Sequence, residues 1–198
     1  MSDKVLVLDI DGVVVHPHDG IFWNTQLTQD MGVCVDHLQK HYFGKYWSDV
    51  IIGKEDLKQT LKEYFKNHNF SYDVDKFIAY WFSKDANVDA NLLNFIDAER
   101  NNFSKICLAT NQEKYRAEYL WQEMGLSKHF DEFFYSGDLG CSKPEEDFYQ
   151  LVTNNLEVQP EDIYFWDDSH KNVDGASKFG WNSFFFENMN LINSFTNK

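Results

Sequence analysis

Residues 5–12 of the chain read Val5-Leu-Val-Leu-Asp9-Ile-Asp11-Gly12. Four apolar residues in a row are typical of a strand buried on both faces of a parallel sheet, and two carboxylates follow them. Related segments lie further on: Ile106-Cys-Leu-Ala-Thr110-Asn111, Ser142-Lys143-Pro144, and Ile163-Tyr-Phe-Trp-Asp167-Asp168 with Asn172 beyond. Because ligands of open α/β sheets bind outside the carboxyl ends of the strands, we expect these polar residues to meet in one crevice.

Composition indicates a globular protein of one domain, or one domain with an insert. The chain has 198 residues, of which 43% are hydrophobic and 25% charged. Its net charge of −14 argues against nucleic-acid or anionic-membrane partners, which require clustered Lys and Arg. Three cysteines are too few and too scattered for a disulfide framework or a zinc site.

The sequence shows no targeting or membrane segment. No apolar stretch approaches the roughly 20 residues of a membrane span, and Asp9 interrupts the first apolar run. We therefore expect a cytoplasmic protein that does not associate with membranes, as a monomer or homodimer.

From about residue 89 onward, strand-like runs alternate with amphipathic stretches, as in βαβ units. Predicted strands are Val5–Leu8, Lys105–Ala109, Glu132–Tyr135, Ile163–Trp166 and Asn182–Phe186. Predicted helices cover Gln112–Met124, with Gly125 as the residue after the helix end, and Pro144–Leu156, with Pro144 in the first turn. The fold class is therefore α/β, with a Rossmann-like parallel sheet formed by residues 1–14 and 89–198.

Residues 15–88 have helical periodicity and no convincing buried strand. One helix is expected to open at Lys54-Glu-Asp-Leu57 and another to cover Asp73–Ser83. Because this block follows the first strand, it would lie above the strand ends, and we interpret it as a helical cap. His16, His18 and His41 lack metal-ligand spacing and are interpreted as surface or packed residues.

The polar residues suit phosphate chemistry. A carboxylate such as Asp9 can attack phosphorus, and a second one such as Asp11 can transfer the proton. Thr110 and Asn111, at the start of a predicted helix, form an anion site. Lys143 can neutralise phosphate oxygens, and the adjacent acids Asp167 and Asp168 are suited to Mg²⁺.

Together these segments resemble the haloacid dehalogenase (HAD) superfamily, in its phosphatase branch with a helical cap between the first and second motifs. The resemblance covers nearly the whole chain: Asp9-x-Asp11-Gly12, Thr110, Lys143-Pro144, and Asp167-Asp168 with Asn172.

The resemblance implies a role for each residue. Asp9 would be the nucleophile and Asp11 the general acid/base, and Thr110, the Asn111 backbone N–H and Lys143 would bind the phosphoryl group. Mg²⁺ would be held by the Asp9 carboxylate, the Asp11 carbonyl and Asp168, with Asp167 acting directly or through water. Asn172 would orient its neighbours without touching the metal.

The expected activity is Mg²⁺-dependent hydrolysis of a small phosphorylated metabolite through an aspartyl-phosphate. Three alternatives stay open. A phosphomutase would keep every core residue seen here, and a 2-haloacid dehalogenase shares the fold and nucleophile but needs no acid at Asp11. A catalytically silent binding module would normally have lost a nucleophile or a metal ligand.

Overall fold

The computed structural model describes residues 4–188. Residues 1–3 and 189–198, which belong to the predicted core, lie outside the described part of the chain. The strands, in chain order, are β1 (Val5–Leu8), β2 (Val15–His16), β3 (Asn87–Val88), β4 (Lys105–Thr110), β5 (Glu132–Tyr135), β6 (Ile163–Asp167) and β7 (Asn182–Phe185).

The α-helices, in chain order, are α1 (Leu27–Met31), α2 (Val35–Leu38), α3 (Gly44–Val50), α4 (Leu57–Asn67), α5 (Val74–Lys84), α6 (Ala90–Glu99), α7 (Lys114–Glu118), α8 (Ser136–Leu139), α9 (Glu146–Leu156) and α10 (His170–Phe179). π-Helical turns at Gln39–Phe43 and Tyr119–Glu123 continue α2 and α7. Short 3₁₀ turns lie at His18–Gly20, Arg100–Asn102, Leu126–Lys128 and Pro160–Asp162. Within residues 4–188, none of the helices has the length and apolar character that crossing a membrane requires.

Five strands form a parallel sheet in the order β5-β4-β1-β6-β7. The apolar side chains of β1 are buried on both faces, where two separate apolar clusters cover the sheet. Leu8 is level with Leu108 of β4 and Trp166 of β6, so the residues that end these three strands lie side by side. The predicted α/β fold class with a Rossmann-like parallel sheet is confirmed.

A third apolar cluster lies apart from the sheet. It is formed by residues between Leu27 and Phe82, and Tyr115 and Tyr119 pack against it from the α7 region. Its helices α4 and α5 begin at N-cap residues Asp56 and Asp73, close to the predicted starts. A separate cap domain needs an apolar core of its own, and this cluster provides one. The domain boundaries at residues 15 and 88 stay a prediction.

Residues 15–88 also contain two short strands, mostly not buried, that the sequence analysis did not predict. Val15 and His16 pair antiparallel with Val88 and Asn87. Two residues per strand give no hydrophobic periodicity that could be recognised in the sequence. The pair joins the two chain segments that lead into and out of the helices.

Two helices begin later than predicted. Gln112 precedes α7, which starts at Lys114 after the N-cap Glu113, and Pro144 precedes α9, which starts at Glu146. Gly125 adopts the expected left-handed conformation (φ 74°).

Candidate functional site

Three strand ends supply the centre of the site. Asp9 follows β1, Thr110 ends β4 and Asp167 ends β6. The backbone N–H of Asp9 donates to the Trp166 carbonyl (2.9 Å), which continues the sheet pairing one residue beyond the strand. All three residues are buried, so the centre of the site lies at the floor of the crevice.

Lys143 is a buried cation shared by two of these carboxylates. Its Nζ lies 2.9 Å from Asp9 Oδ1 and 2.6 Å from Asp167 Oδ2, and it donates to the Ala109 carbonyl (2.7 Å). Burial would lower the pKa of Lys143, but Asp9 and Asp167 outweigh burial and raise it. The ammonium group is therefore held in its charged form.

Asn111 holds the backbone of Lys143 in place. Its side-chain amide donates to the Lys143 carbonyl (2.9 Å) and accepts from the Lys143 N–H (2.8 Å). This pairing fixes the position of two residues that precede α7 and α9. The helix expected directly after Thr110-Asn111 begins instead at Lys114, and the side chain of Asn111 bonds to Lys143.

Asp167 uses both of its oxygens within the protein. Oδ1 accepts from the Ser169 N–H (2.8 Å) and the Asn172 amide (3.0 Å), while Oδ2 accepts from Lys143 and from the same Asn172 nitrogen (3.0 Å). Three donors therefore bond to this carboxylate, and the Asn172 nitrogen is shared by both of its oxygens. Asp167 therefore anchors Lys143 and Asn172.

Gly12 allows Asp168 to approach the first loop. A Cβ at Gly12 would lie 2.1 Å from Asp168 Oδ2, and the residue has φ +82°, which glycine adopts without strain. Burial and the neighbouring Asp167 raise the pKa of Asp168, and Lys143 opposes them. The glycine that ends the Asp-x-Asp-Gly turn thus makes room for the second acidic pair.

Asp9, Asp167 and Asp168 each present an oxygen within 4.8 Å of the others. Burial, reinforced by Asp167, raises the pKa of Asp9 to about 7 despite the opposing effect of Lys143. Lys143 thus offsets only part of the effect of burial on the Asp9 carboxylate. A hard divalent cation would complete the charge balance, since oxygen donors are what such cations bind.

Asp11 has different surroundings from Asp9, although only one residue separates them. Its side chain is 55% exposed, against 11% for Asp9. The Gln112 amide donates to Asp11 Oδ2, and Arg116 Nη2 lies 3.8 Å from Oδ1. The two carboxylates therefore differ in solvation and in partners, as two groups with different chemical tasks would require.

A cavity of about 640 Å³ joins these residues. Seven of the eight predicted site residues border it: Asp9, Asp11, Thr110, Asn111, Lys143, Asp168 and Asn172. The eighth, Asp167, lies beneath, fully buried. The structure thus brings all the predicted residues to one place, and their roles stay predictions.

Three site residues were missed in the sequence analysis. Gln112 and the buried Arg116 contact Asp11, and Asp85, at the end of α5, borders the cavity. Arg116 also donates to the backbone carbonyls of Phe82 (2.9 Å) and Asp85. Burial raises the pKa of Asp85 to about 6, with Arg116 opposing and Asp11 reinforcing the shift. No local sequence pattern marks these residues, because their contacts are between distant parts of the chain, the helical segment (residues 15–88) and the core.

Comparison with known proteins identifies the family. A family model described as a haloacid dehalogenase-like hydrolase matches residues 4–180. The chain belongs to this family. The resemblance to this family inferred from the motifs is thereby confirmed.

Curated relatives match only part of the chain, at low identity. A phosphorylated carbohydrates phosphatase of Thermotoga maritima is 30% identical over 88 residues, which are 44% of this chain and 39% of that protein. The chain therefore spans well under half the length of the curated relative it matches.

Solved structures share the fold over nearly the whole chain. A HAD-like family hydrolase from Porphyromonas gingivalis has a TM-score of 0.81 at 19% identity, covering 100% of this chain and 98% of its own. A HAD family enzyme from Bacteroides thetaiotaomicron, in complex with magnesium and inorganic phosphate, has a TM-score of 0.74 at 16% identity, covering 92% and 93%. At these identities the likeness establishes the fold alone.

Proposed function

We propose that the protein is a Mg²⁺-dependent phosphatase that hydrolyses a small phosphomonoester through an aspartyl-phosphate. The proposal is carried by one observation: Asp9 is paired with the buried Lys143 and borders the same cavity as Asp11, which has separate partners. A nucleophile and a proton donor for one substrate must reach one space while staying chemically distinct.

In the first step an Asp9 oxygen attacks phosphorus, and the bond between phosphorus and the leaving oxygen breaks. Protonated Asp11 gives its proton to that oxygen, and the alcohol departs. In the second step water attacks phosphorus, the bond to Asp9 breaks, and Asp11 takes the proton of the water. The two steps together add one water to the ester, release alcohol and phosphate, and return both carboxyl groups to their starting forms.

Asp9 and Asp168 are the side chains suited to hold Mg²⁺, together with the backbone carbonyl of Asp11. Asp167 accepts from Ser169, Asn172 and Lys143, so we assign it the anchoring of Lys143 and Asn172, next to the cation. When bound, the cation would neutralise charge on the phosphoryl oxygens, which phosphoryl transfer depends on. Lys143 and Thr110 would contact the same phosphoryl group from the cavity wall.

The comparisons support this assignment without extending to the substrate. The Thermotoga maritima relative is named as a phosphatase of phosphorylated carbohydrates, and the Bacteroides thetaiotaomicron structure holds magnesium and inorganic phosphate. Both are compatible with the carboxylates and the lysine found here.

The alternatives make different demands on Asp11. A 2-haloacid dehalogenase has no leaving oxygen to protonate, so a carboxyl group held by Gln112 and Arg116 beside the cavity would have no task. A phosphomutase would need a bisphosphate activator. These reactions are separated from hydrolysis by including a 2-haloacid and a bisphosphate in the assay.

The test is hydrolysis of p-nitrophenyl phosphate with and without Mg²⁺, for the wild-type protein and Asp9→Asn. We expect Mg²⁺-dependent turnover that EDTA abolishes and that Asp9→Asn eliminates, since asparagine keeps the shape and removes the nucleophile. Asp36→Asn, on the exposed face of α2, is the matched control and should retain full activity.

Circular dichroism and a melting curve establish that Asp9→Asn is folded. Near wild-type turnover by a folded Asp9→Asn protein would contradict the assignment of the nucleophile. Release of halide from a 2-haloacid would instead favour a dehalogenase.

A further inference from the structure

The cavity extends well beyond the space needed for a phosphoryl group. Asp9, Lys143 and Asp168 border it at the strand ends, which we call the inner end, and Phe22, Trp23 and Asp85 border it from residues 15–88, which we call the outer end. A phosphomonoester bound with phosphorus at Asp9 would place its leaving group at the outer end. The residues there therefore bear on which leaving group the protein accepts.

One wall of the outer end is aromatic. Phe22 is 71% exposed and Ile21 43% exposed, and these are the exposed large hydrophobic residues of the described part of the chain. The Trp23 ring is held by other aromatic rings: it stacks on Trp81 (centroids 4.7 Å apart) and contacts Phe77 edge-on. A fixed indole beside an exposed phenyl ring forms a surface suited to a planar apolar group.

The Asp85 carboxyl group also borders the cavity, beside the backbone of Trp23. Its Oδ1 is buried and makes no hydrogen bond among the described residues. Arg116 lies nearby, but its guanidinium donates to the backbone carbonyls of Phe82 and Asp85. A buried acceptor with no partner is costly, and a ligand donor would satisfy it.

The charges around the cavity disfavour a second anion. Asp9, Asp11, Asp85 and Asp168 border it, and Lys143 is the one lysine or arginine among its described lining residues. Lys143 is already paired with Asp9 and Asp167. An anionic substituent at the outer end would lie beside the Asp85 carboxylate, whose nearby cation, Arg116, already donates to the Phe82 and Asp85 carbonyls.

We propose that the outer end binds a leaving group that has a planar apolar face, donates a hydrogen bond to Asp85 from an uncharged or cationic substituent, and carries no second anionic group. This inference rests on the proposed phosphatase function. It names the substrate class of that same site, with Phe22 and Trp23 covering the ring and Asp85 selecting the substituent.

The test compares three phenyl phosphates with a para aminomethyl, hydroxymethyl or carboxymethyl substituent at pH 8. A methylene group separates each substituent from the ring, which keeps the intrinsic reactivity of the three esters similar. We expect kcat/KM to be highest for the cationic ester, lower for the uncharged one, and at least tenfold lower for the anionic ester than for the cationic one.

Asp85→Asn distinguishes the role of the charge from the role of shape. Asparagine keeps an acceptor oxygen, so the variant should still hydrolyse the uncharged ester while the difference between the cationic and anionic esters falls several-fold. Phe22→Ala should lower kcat/KM for all three esters about equally. Asp36→Asn should leave the wild-type order unchanged.

Different results would contradict this inference and the proposed phosphatase function. Equal kcat/KM for the three esters, or an Asp85→Asn protein with the wild-type ratio, would overturn this inference while leaving the phosphatase assignment in place. Absence of Mg²⁺-dependent hydrolysis for these esters and for p-nitrophenyl phosphate would overturn the proposed function and this inference with it.

Discussion

Lys143 makes the grouping of acids at the strand ends tolerable. Buried carboxylates are unfavourable unless cations or hydrogen bonds compensate them, and Lys143 contacts both Asp9 and Asp167. Its own position depends on the amide of Asn111, and Asn172 completes the hydrogen bonding of Asp167. Each asparagine therefore acts on the site through another residue.

Asp11→Asn is expected to lower kcat/KM by about 10²–10⁴-fold, the usual contribution of a general acid. The loss should be larger for an alkyl phosphate than for p-nitrophenyl phosphate, because p-nitrophenolate leaves readily without a proton. Steady-state kinetics at saturating Mg²⁺ with both substrates checks this. Equal losses for the two esters would indicate that Asp11 has a structural role instead.

At the scale of secondary-structure elements, Asp56 links α4 to α7. Its Oδ1 accepts from the Gln59 N–H (3.0 Å) as the N-cap of α4. Its Oδ2 accepts from the Tyr115 hydroxyl (2.8 Å) and lies 2.7 Å from Lys114 Nζ. The Asp56 carboxylate thus caps the N-terminus of α4, a helix of the predicted cap, and contacts α7, which carries Arg116.

These contacts make the contribution of Asp56 depend on pH. Burial alone would raise its pKa, but hydrogen bonds from Lys114, Gln59 and Tyr115 outweigh burial and lower it from 3.8 to about 2. The ionised form therefore stabilises the folded state fully above pH 3.8, and this contribution is lost as the pH falls toward 2.

Asp56→Asn should lower the free energy of unfolding by about 1 kcal/mol at pH 7, with a difference that shrinks between pH 4 and pH 2. Urea denaturation across this range measures it. Asp73→Asn alters the N-cap of α5, whose carboxylate accepts from the Lys76 N–H, and serves as the matched control for capping alone. A difference that grows toward low pH would contradict the interpretation.

At the scale of the whole molecule, the helical segment is tied to the core at several points. β2 and β3 pair the two connecting segments, and Arg116 binds the carbonyls at the end of α5. The Ser136 hydroxyl donates to the Ile51 carbonyl (2.6 Å), close to Gly53. These contacts hold Asp85 and Trp23 over the cavity, so the outer end depends on how the two parts pack.

Gly53→Ala should disturb this packing. Gly53 has φ +73°, and a Cβ there would lie 2.2 Å from the Gly137 carbonyl oxygen. Strain at a left-handed position costs about 1–3 kcal/mol, and the collision adds to it. We expect a lower free energy of unfolding and a higher KM for phenyl phosphates.

Gly140→Ala is the matched control, since Gly140 has φ +74° and no atoms near the added Cβ. It should show the strain without the collision and leave KM unchanged. Urea denaturation and steady-state kinetics of both variants check the prediction. Equal destabilisation and equal KM values would show that the contact between Gly53 and Gly137 is unimportant.

The sheet and the floor of the site were predictable from local sequence. Apolar runs such as Val5–Leu8 mark buried parallel strands, and parallel topology brings the residues after them to one edge. Asp9, Thr110 and Asp167 therefore meet whatever the details of packing. The helices after Thr110 and Lys143 begin two residues later than predicted, and local sequence did not show that Asn111 and Lys143 bond to each other across 32 residues.

The outer end of the cavity depends on packing between distant segments. Asp85 and Arg116 are 31 residues apart and meet because a helix of the core supplies a buried guanidinium to the carbonyls that end α5. Nothing in either local sequence requires that contact. Hydrophobic periodicity and strand ends depend on residues that are close in sequence. The surroundings of a carboxylate such as Asp85 depend on cations and aromatic rings that come from distant parts of the chain.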